Sequence, residues 1–222
     1  MSITADTTVA TIATEHPLAT RVFARHGIDF CCGGGQALAT ACSARGLELD
    51  TLLVEIEAEI DAAPEPAVRW DEAPLEHLIE HILVTYHRPL DEELPRLEEM
   101  MRKVHRVHGS KDPARFDALL ETVLAIRADM EQHLPKEEQV LFPMILTGRG
   151  RLADGPMHVM ELEHDALGGL LRRLRELTGE YTVPEGACNT WRALWVALED
   201  LERATHEHIH LENNILHRRV RG

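Results

Sequence analysis

Aromatic side chains make up only 4% of the 222 residues, and no apolar run approaches the roughly 20 residues that a membrane helix needs. A sheet-rich core is not expected, because strands draw on aromatic and β-branched residues, and neither is a transmembrane segment. Basic residues are outnumbered, 23 against 38 acidic ones, and lie scattered along the chain. The formal charge of −15 excludes nucleic acid and anionic membrane as partners, since both repel it. The opening MSITADTTVATIATEH has neither the basic start nor the apolar core of a secretory leader, so a cytoplasmic protein is expected. The four cysteines, Cys31, Cys32, Cys42 and Cys188, are too few and too unevenly spaced for a disulfide framework, and no CxxC occurs. No GxGxxG joins a strand to a helix, so a flavin or nicotinamide fingerprint is missing.

What the chain does have is Leu, Ala and Glu in quantity within an apolar content of 44%, the composition of an all-α globular protein. Residues 61–74, DAAPEPAVRWDEAP, hold three of the eleven prolines and little periodicity, and read as a linker. Before it, 1–60 form a small helical domain, in which LATRVFARHGID and LDTLLVEIEAEI predict short helices, the second with Asp50 as N-cap. After it, 75–222 divide into four long segments, roughly 74–109, 113–147, 156–180 and 187–219, separated by HGSKDP, TGRGRLADGP and TVPEG. Four helices on short connections predict an up-down-up-down bundle.

The 14 histidines decide the chemistry. Residues spaced by alternating threes and fours share one helix face. The apolar stripes run Ile79, Leu83, His87, Leu90, Leu94, Leu97; then Ile126, Met130, His133, Glu137, Leu141, Met144. The third and fourth run Met157, Met160, His164, Leu167, Leu171, Leu174 and Leu194, Leu198, Leu201, Thr205, His208, Glu212, Ile215. Every helix thus points ligand-type side chains into an apolar core. Burying one unpaired carboxylate costs several kcal/mol, so this set requires a compensating cation. Imidazole suits iron, zinc or copper, and carboxylates bridge hard ions; a mixed His and Glu set predicts a dinuclear, iron-type centre with positions left open. His81, His158, His206 and His210 fall off the stripes and are expected in solvent or behind the ligands, and His105 and His108 at the surface near a helix end. A carboxylate-rich di-iron pattern of Glu-x-x-His pairs is weaker: Glu161/His164 and Glu207/His210 have its spacing, but the second pair lies off its stripe.

At TYHRPLDEELP, HLPKEEQVLFPMI, VMELEHD and HEHIHLENN, preceded by HGIDFCCGGGQAL, the chain resembles the di-iron proteins for repair of iron-sulfur clusters, a hemerythrin-like family. The resemblance implies that His87, His133, His164 and His208 are terminal ligands. It also implies that Glu137 and Glu212 bridge two iron ions per chain across an oxo-type bridge. It further implies restoration of clusters damaged by nitric oxide or oxidants, by donation of iron to a damaged iron-sulfur protein or a cluster scaffold. Two other functions fit the same centre: binding or sensing of oxygen or nitric oxide, and reduction of nitric oxide or peroxide with electrons from a partner. Pro89 and Pro135, beside ligands, are expected to perturb their turns, and NNILHRRV stands where an aromatic-proline pair is commoner in the family.

FCCGGGQ, 30–36, offers two adjacent thiols that cannot easily close a disulfide on each other. A helix beginning near Gln36 would lower the pKa of a nearby thiol. Cys31 and Cys32 are therefore expected to serve as an accessory thiol pair, relaying electrons, holding iron transiently, or joining two chains through the N-terminal domain. The alternative is a glycine-rich structural turn.

Overall fold

Helix formation follows the apolar stripes and the capping residues. The computed structural model describes residues 3–62 and 68–222, apart from the Arg151 side chain; residues 63–67 of the expected linker lie outside the described residues. Among the described residues the chain is all-α, with no β-strand, and no helix is long and apolar enough to cross a membrane. Two compact units emerge, Met1–Glu80 with His206–Gly222, and His81–Thr205. The division falls within two helices, α5 (Leu75–Ile82) and α10 (Asn189–His210).

In the first unit, α1 (Val9–Glu15), α2 (Ala19–Arg25), α3 (Leu38–Arg45) and α4 (Leu49–Asp61) enclose a core of Val9, Ile12, Val22, Phe23, Phe30, Leu38, Leu52 and Ile56. Thr8 caps α1, its hydroxyl accepting from the Thr11 N–H at 3.2 Å. The next donors of α1 are met by the glycine loop: Val9 N–H bonds Gln36 O at 3.1 Å and Ala10 N–H bonds Gly34 O at 2.8 Å. That close approach requires a glycine, since a Cβ at Gly34 would stand 2.6 Å from Phe30 O. Two expectations are corrected here. Asp50 lies in the first turn of α4 rather than capping it, the cap being Glu48, and α3 begins at Leu38 rather than Gln36.

The second unit carries the bundle. Its helices are the continuation of α5 into α6 (Arg88–His108), α7 (Pro113–Lys136) continuing into α8 (Phe142–Leu146), α9 (Asp154–Thr178), and α10 to Thr205. Helix α7 packs on both α6 and α9. Trp191 of α10 meets Phe116 edge to face and His108 at a tilt, with ring centroids 5.2 and 4.8 Å apart, and the Trp195 indole donates to Thr178 O at 3.2 Å. Arg175 grips the buried Glu202 carboxylate through Nε at 3.0 Å and Nη2 at 2.8 Å. His108, expected at the surface, is buried beneath Trp191 and lies 3.2 Å from Cys188 Sγ.

Among the described residues three π-helical turns occur, Leu83–His87 and Glu137–Leu141 in the second unit and Leu211–Leu216 in the first. In each, an N–H reaches back five residues: Arg88 to Leu83 O, Phe142 to Glu137 O, and His217 to Glu212 O. Two are followed by an X-Pro step, at Pro89 and Pro143. A proline ring clashes with the carbonyl four residues earlier, and a widened turn moves that carbonyl aside. The third forms without proline in NNILHRRV, so proline is not the only cause. Helix α11 (His217–Arg221) follows it.

Candidate metal centre

The second unit brings together His87, His133, Glu137 and His164. Each is delivered by a different local device: His87 ends the first π turn, Glu137 begins the second, His133 precedes it by one α-turn, and His164 sits on the uninterrupted α9. Pro135 does not break this arrangement, for α7 runs through it to Lys136. All four side chains are buried, Glu137 completely. Around its carboxylate stand three imidazole Nε2 atoms, His87 at 3.6 Å from Oε2, and His133 and His164 at 3.2 and 3.8 Å from Oε1. The Nε2 atoms of His133 and His164 are themselves 3.1 Å apart.

These distances are short enough for ion pairing, yet neither Glu137 oxygen accepts a hydrogen bond. A fully buried carboxylate without donors is costly unless a cation supplies the missing charge. The donor set, imidazole nitrogens and a carboxylate whose two oxygens face different histidines, fits a pair of iron-type ions. His133, Glu137 and His164 offer ligand atoms within 4.8 Å of one another, as do His87 and Glu137.

The far side of two imidazoles is also fixed. His87 Nδ1 stands 3.0 Å from Glu138 Oε1, and His133 Nδ1 stands 2.8 Å from Glu163 Oε2. A carboxylate at Nδ1 holds the proton there, which leaves Nε2, the nitrogen turned towards Glu137, basic and orients the ring. The second oxygen of Glu163 takes a hydrogen bond from Lys136, and that of Glu138 faces Arg88 Nη1 at 3.5 Å. Burial alone would raise the Glu163 carboxyl, but Lys136 and His133 outweigh it and hold it below the usual carboxylate range. Glu138 and Glu163 were not anticipated from the stripes. Each lies next to a member of the buried group, Glu137 or His164, but nothing in a linear pattern pairs Glu138 with a histidine 51 positions away.

In the first unit, His208 at the end of α10 and Glu212 in the π turn that follows form a second buried group, Nε2 and Oε1 3.0 Å apart at i, i+4. Five residues on, the π turn carries His217 to the same buried face. His210 is buried as well, its ring 5.7 Å from that of Phe30, and burial pushes it down to about 4, so it is neutral at ordinary pH.

The same unit contains the thiol loop. Cys31 is buried and Cys32 half-buried, with Sγ atoms 3.6 Å apart. Asp29 organises them: its Oδ1 accepts from Cys31 N–H at 3.1 Å, Cys32 N–H at 3.0 Å and Cys31 Sγ at 3.3 Å. The expected lowering of a thiol pKa is not seen at Cys31. Its hydrogen bond to Cys32, burial, and the charges of Cys32 and Asp29 push it well above the ordinary thiol range, so Cys31 is protonated at neutral pH. Asn214, two residues past Glu212, donates its amide to Cys31 O at 2.9 Å and Phe30 O at 3.2 Å. Replacing it by Ala leaves two buried carbonyls short of a donor, with an expected loss of about 1–3 kcal/mol in chemical denaturation. A loss under a few tenths would show that the carbonyls find other donors.

Comparison with known proteins bears on both units. A family model described as Hemerythrin HHE cation binding domain matches residues 78–220, and one described as ScdA_N, a domain of unknown function (DUF542), matches 5–60. The chain is 45% identical over 212 residues, 95% of each chain, to the iron-sulfur cluster repair protein YtfE of Yersinia pseudotuberculosis serotype IB (strain PB1/+). The protein of the same name from Yersinia pestis (strain Pestoides F) has the same identity and coverage.

Proposed function

The chain belongs to the hemerythrin HHE cation-binding family and, within it, to the iron-sulfur cluster repair proteins, and from that membership we propose that it restores damaged clusters by donating iron. The observation that carries the reading is Glu137, fully buried, ringed by three imidazole nitrogens and accepting no hydrogen bond. His87, His133, His164 and His208 would serve as terminal ligands, and Glu137 and Glu212 as shared carboxylates, for two iron ions per chain with an oxo-type bridge. Bound there, iron supplies a labile metal store under oxidative or nitrosative stress. The protein's own contribution is to present basic nitrogens, to hold them through Glu138 and Glu163, and to exclude water from the carboxylates.

The family matches over 5–60 and 78–220 support a division into a thiol domain, 1–60, a linker, 61–74, and the metal domain, 75–222. The partner is an iron-sulfur protein that has lost or nitrosylated its cluster, or a cluster scaffold, and the setting is the cytoplasm. Purified chain should carry about two irons and reactivate an iron-sulfur enzyme inactivated by nitric oxide. Full iron loading without reactivation would reject donation. A stable, reversible oxygen spectrum in its place would indicate a carrier.

Cys31 and Cys32 act as accessory thiols in transfer or in joining two chains through the N-terminal domain. The double substitution Cys31→Ala with Cys32→Ala should leave bundle iron unchanged and weaken repair severalfold; normal repair would reduce the loop to a structural turn.

A further inference from the structure

In the first unit the Sγ atoms of Cys31 and Cys32 lie 3.6 Å apart, and neither belongs to a disulfide. Length alone excludes several fates for this pair. A disulfide needs its sulfurs about 2.05 Å apart, here across a strained ring of adjacent residues. An ion held in a line by two thiolates sets them about 4.6 Å apart, twice a metal–sulfur bond of about 2.3 Å. With bonds of that length, a separation of 3.6 Å corresponds to an angle of about 103° at the bridging atom, that of a tetrahedral or pyramidal centre. A tetrahedral metal asks for four ligands. Among the described residues no third His, Cys, Asp or Glu gathers with both thiols into a ligand cluster, and Asp29 Oδ1 is already engaged by the N–H groups of Cys31 and Cys32. What fits is a three-bonded pyramidal centre that takes two thiols and brings its third substituent with it, the geometry of trivalent arsenic.

The protonation of the loop points the same way. Cys31 keeps its proton at neutral pH, because its hydrogen bond to Cys32, burial, and the charges of Cys32 and Asp29 push it well above the ordinary thiol range. Burial alone would raise the Asp29 carboxyl, but the Gly33 N–H, the Cys31 thiol and the Cys32 N–H outweigh it and keep Asp29 an anionic acceptor. Oxidants and disulfides react with thiolates, whereas arsenous acid condenses with neutral thiols. It is also uncharged, so neither Asp29 nor the net charge of −15 repels it as they would an oxyanion. Access is from the glycine side: Cys32 is half-buried, Gly33 and Gly35 are exposed, and a Cβ at Gly35 would meet nothing within 4 Å.

We propose that Cys31 and Cys32 form a capture site for trivalent arsenic, taken up as arsenous acid. Cys32, the more accessible thiol, condenses first, and the buried Cys31 closes the chelate. Two S–H and two As–O bonds break, two As–S and two O–H bonds form, and two waters leave. Arsenic stays trivalent and both sulfurs keep their oxidation state, so no oxidant or reductant takes part. Asp29 Oδ1, which loses the Cys31 thiol as a donor, accepts instead from the hydroxyl that arsenic retains. The site does not depend on the reading of the protein as an iron donor.

The test uses the full, iron-loaded chain with its thiols reduced, titrated with sodium arsenite under anaerobic conditions. Native mass spectrometry should show one arsenic per chain at micromolar arsenite, with the iron retained. Alkylation followed by peptide mapping should find Cys31 and Cys32 protected and the exposed Cys188 still modified. Cys32→Ser should weaken binding about a hundredfold or more, because the second As–S bond forms within one molecule. A small dithiol such as dimercaptopropanol should strip the arsenic and return both thiols to the alkylating reagent. No bound arsenic at that concentration, protection of Cys188 in place of the pair, or a Cys32→Ser variant that binds as tightly as the wild type would overturn the proposal. So would release of iron as arsenic binds, which would make the thiols part of an iron site. The protection pattern is read on the wild-type chain, so it decides the question even if Cys32→Ser does not fold.

Discussion

Glu137→Gln should reverse the order of stability between the metal-free and metal-loaded protein. Without metal, the wild-type chain keeps a fully buried carboxylate that accepts no hydrogen bond. An amide of the same shape carries no charge and can donate to the His133 nitrogen now 3.2 Å away, so the metal-free variant should be more stable by about 1–3 kcal/mol. With iron the comparison inverts. On the proposed ligand set the variant loses a carboxylate that three imidazoles face, and its iron content should fall to a small fraction of the wild-type value. It then forgoes the stabilisation that bound metal gives the native state, about 2.7 kcal/mol at a free concentration a hundred times Kd. Denaturation with and without chelator, alongside metal analysis, checks both halves. Unchanged iron content would remove Glu137 from the ligand set.

The second large effect belongs to the bundle core. Trp195 is fully buried in the second unit, its indole N–H satisfied by Thr178 O and its ring 5.6 Å from Trp191. Trp195→Ala removes the largest fully buried side chain and leaves a carbonyl without its donor, with an expected cost of about 3–5 kcal/mol. For a chain of this length that corresponds to a fall in melting temperature of roughly 6–20 °C. The neighbouring Val196, 57% exposed, gives the control: Val196→Ala should stay within about 0.5 kcal/mol. If Trp195→Ala were equally mild, the core would be repacking around the gap.

Much of this was legible in the sequence because a straight helix keeps its phase. On α9 and α10 there is no interruption before His210, and every stripe residue from Met157 to Leu174 and from Leu194 to His208 is buried as expected. Where a helix widens, the phase slips. The stripes expected Leu83 and Met144 in the core, and the structure instead buries Ile82 and Ile145. A period of 3.6 cannot foresee a five-residue step. Burial of His108 and His210 was equally out of reach, because it depends on Trp191 and Phe30, which are remote in sequence. The thiol pKa erred for a different reason. The helix dipole was the only influence visible in the linear pattern, whereas Asp29 and Cys32 dominate at close range.

The π turns also set a rule for how this sequence can change length. Each contains one residue more than an α-helix would use to cover the same stretch, and successive residues turn by about 100°. Deleting one exposed residue of the second turn, Gln139 or Val140, would therefore let the helix relax to α geometry with Phe142 and Ile145 still on the core face, whereas the same loss within the uninterrupted α9 would rotate everything beyond it by about 100°. Descendants of this chain should accept a one-codon loss inside the turn and exclude it along α9, which makes the π turns the places where these helices can change length.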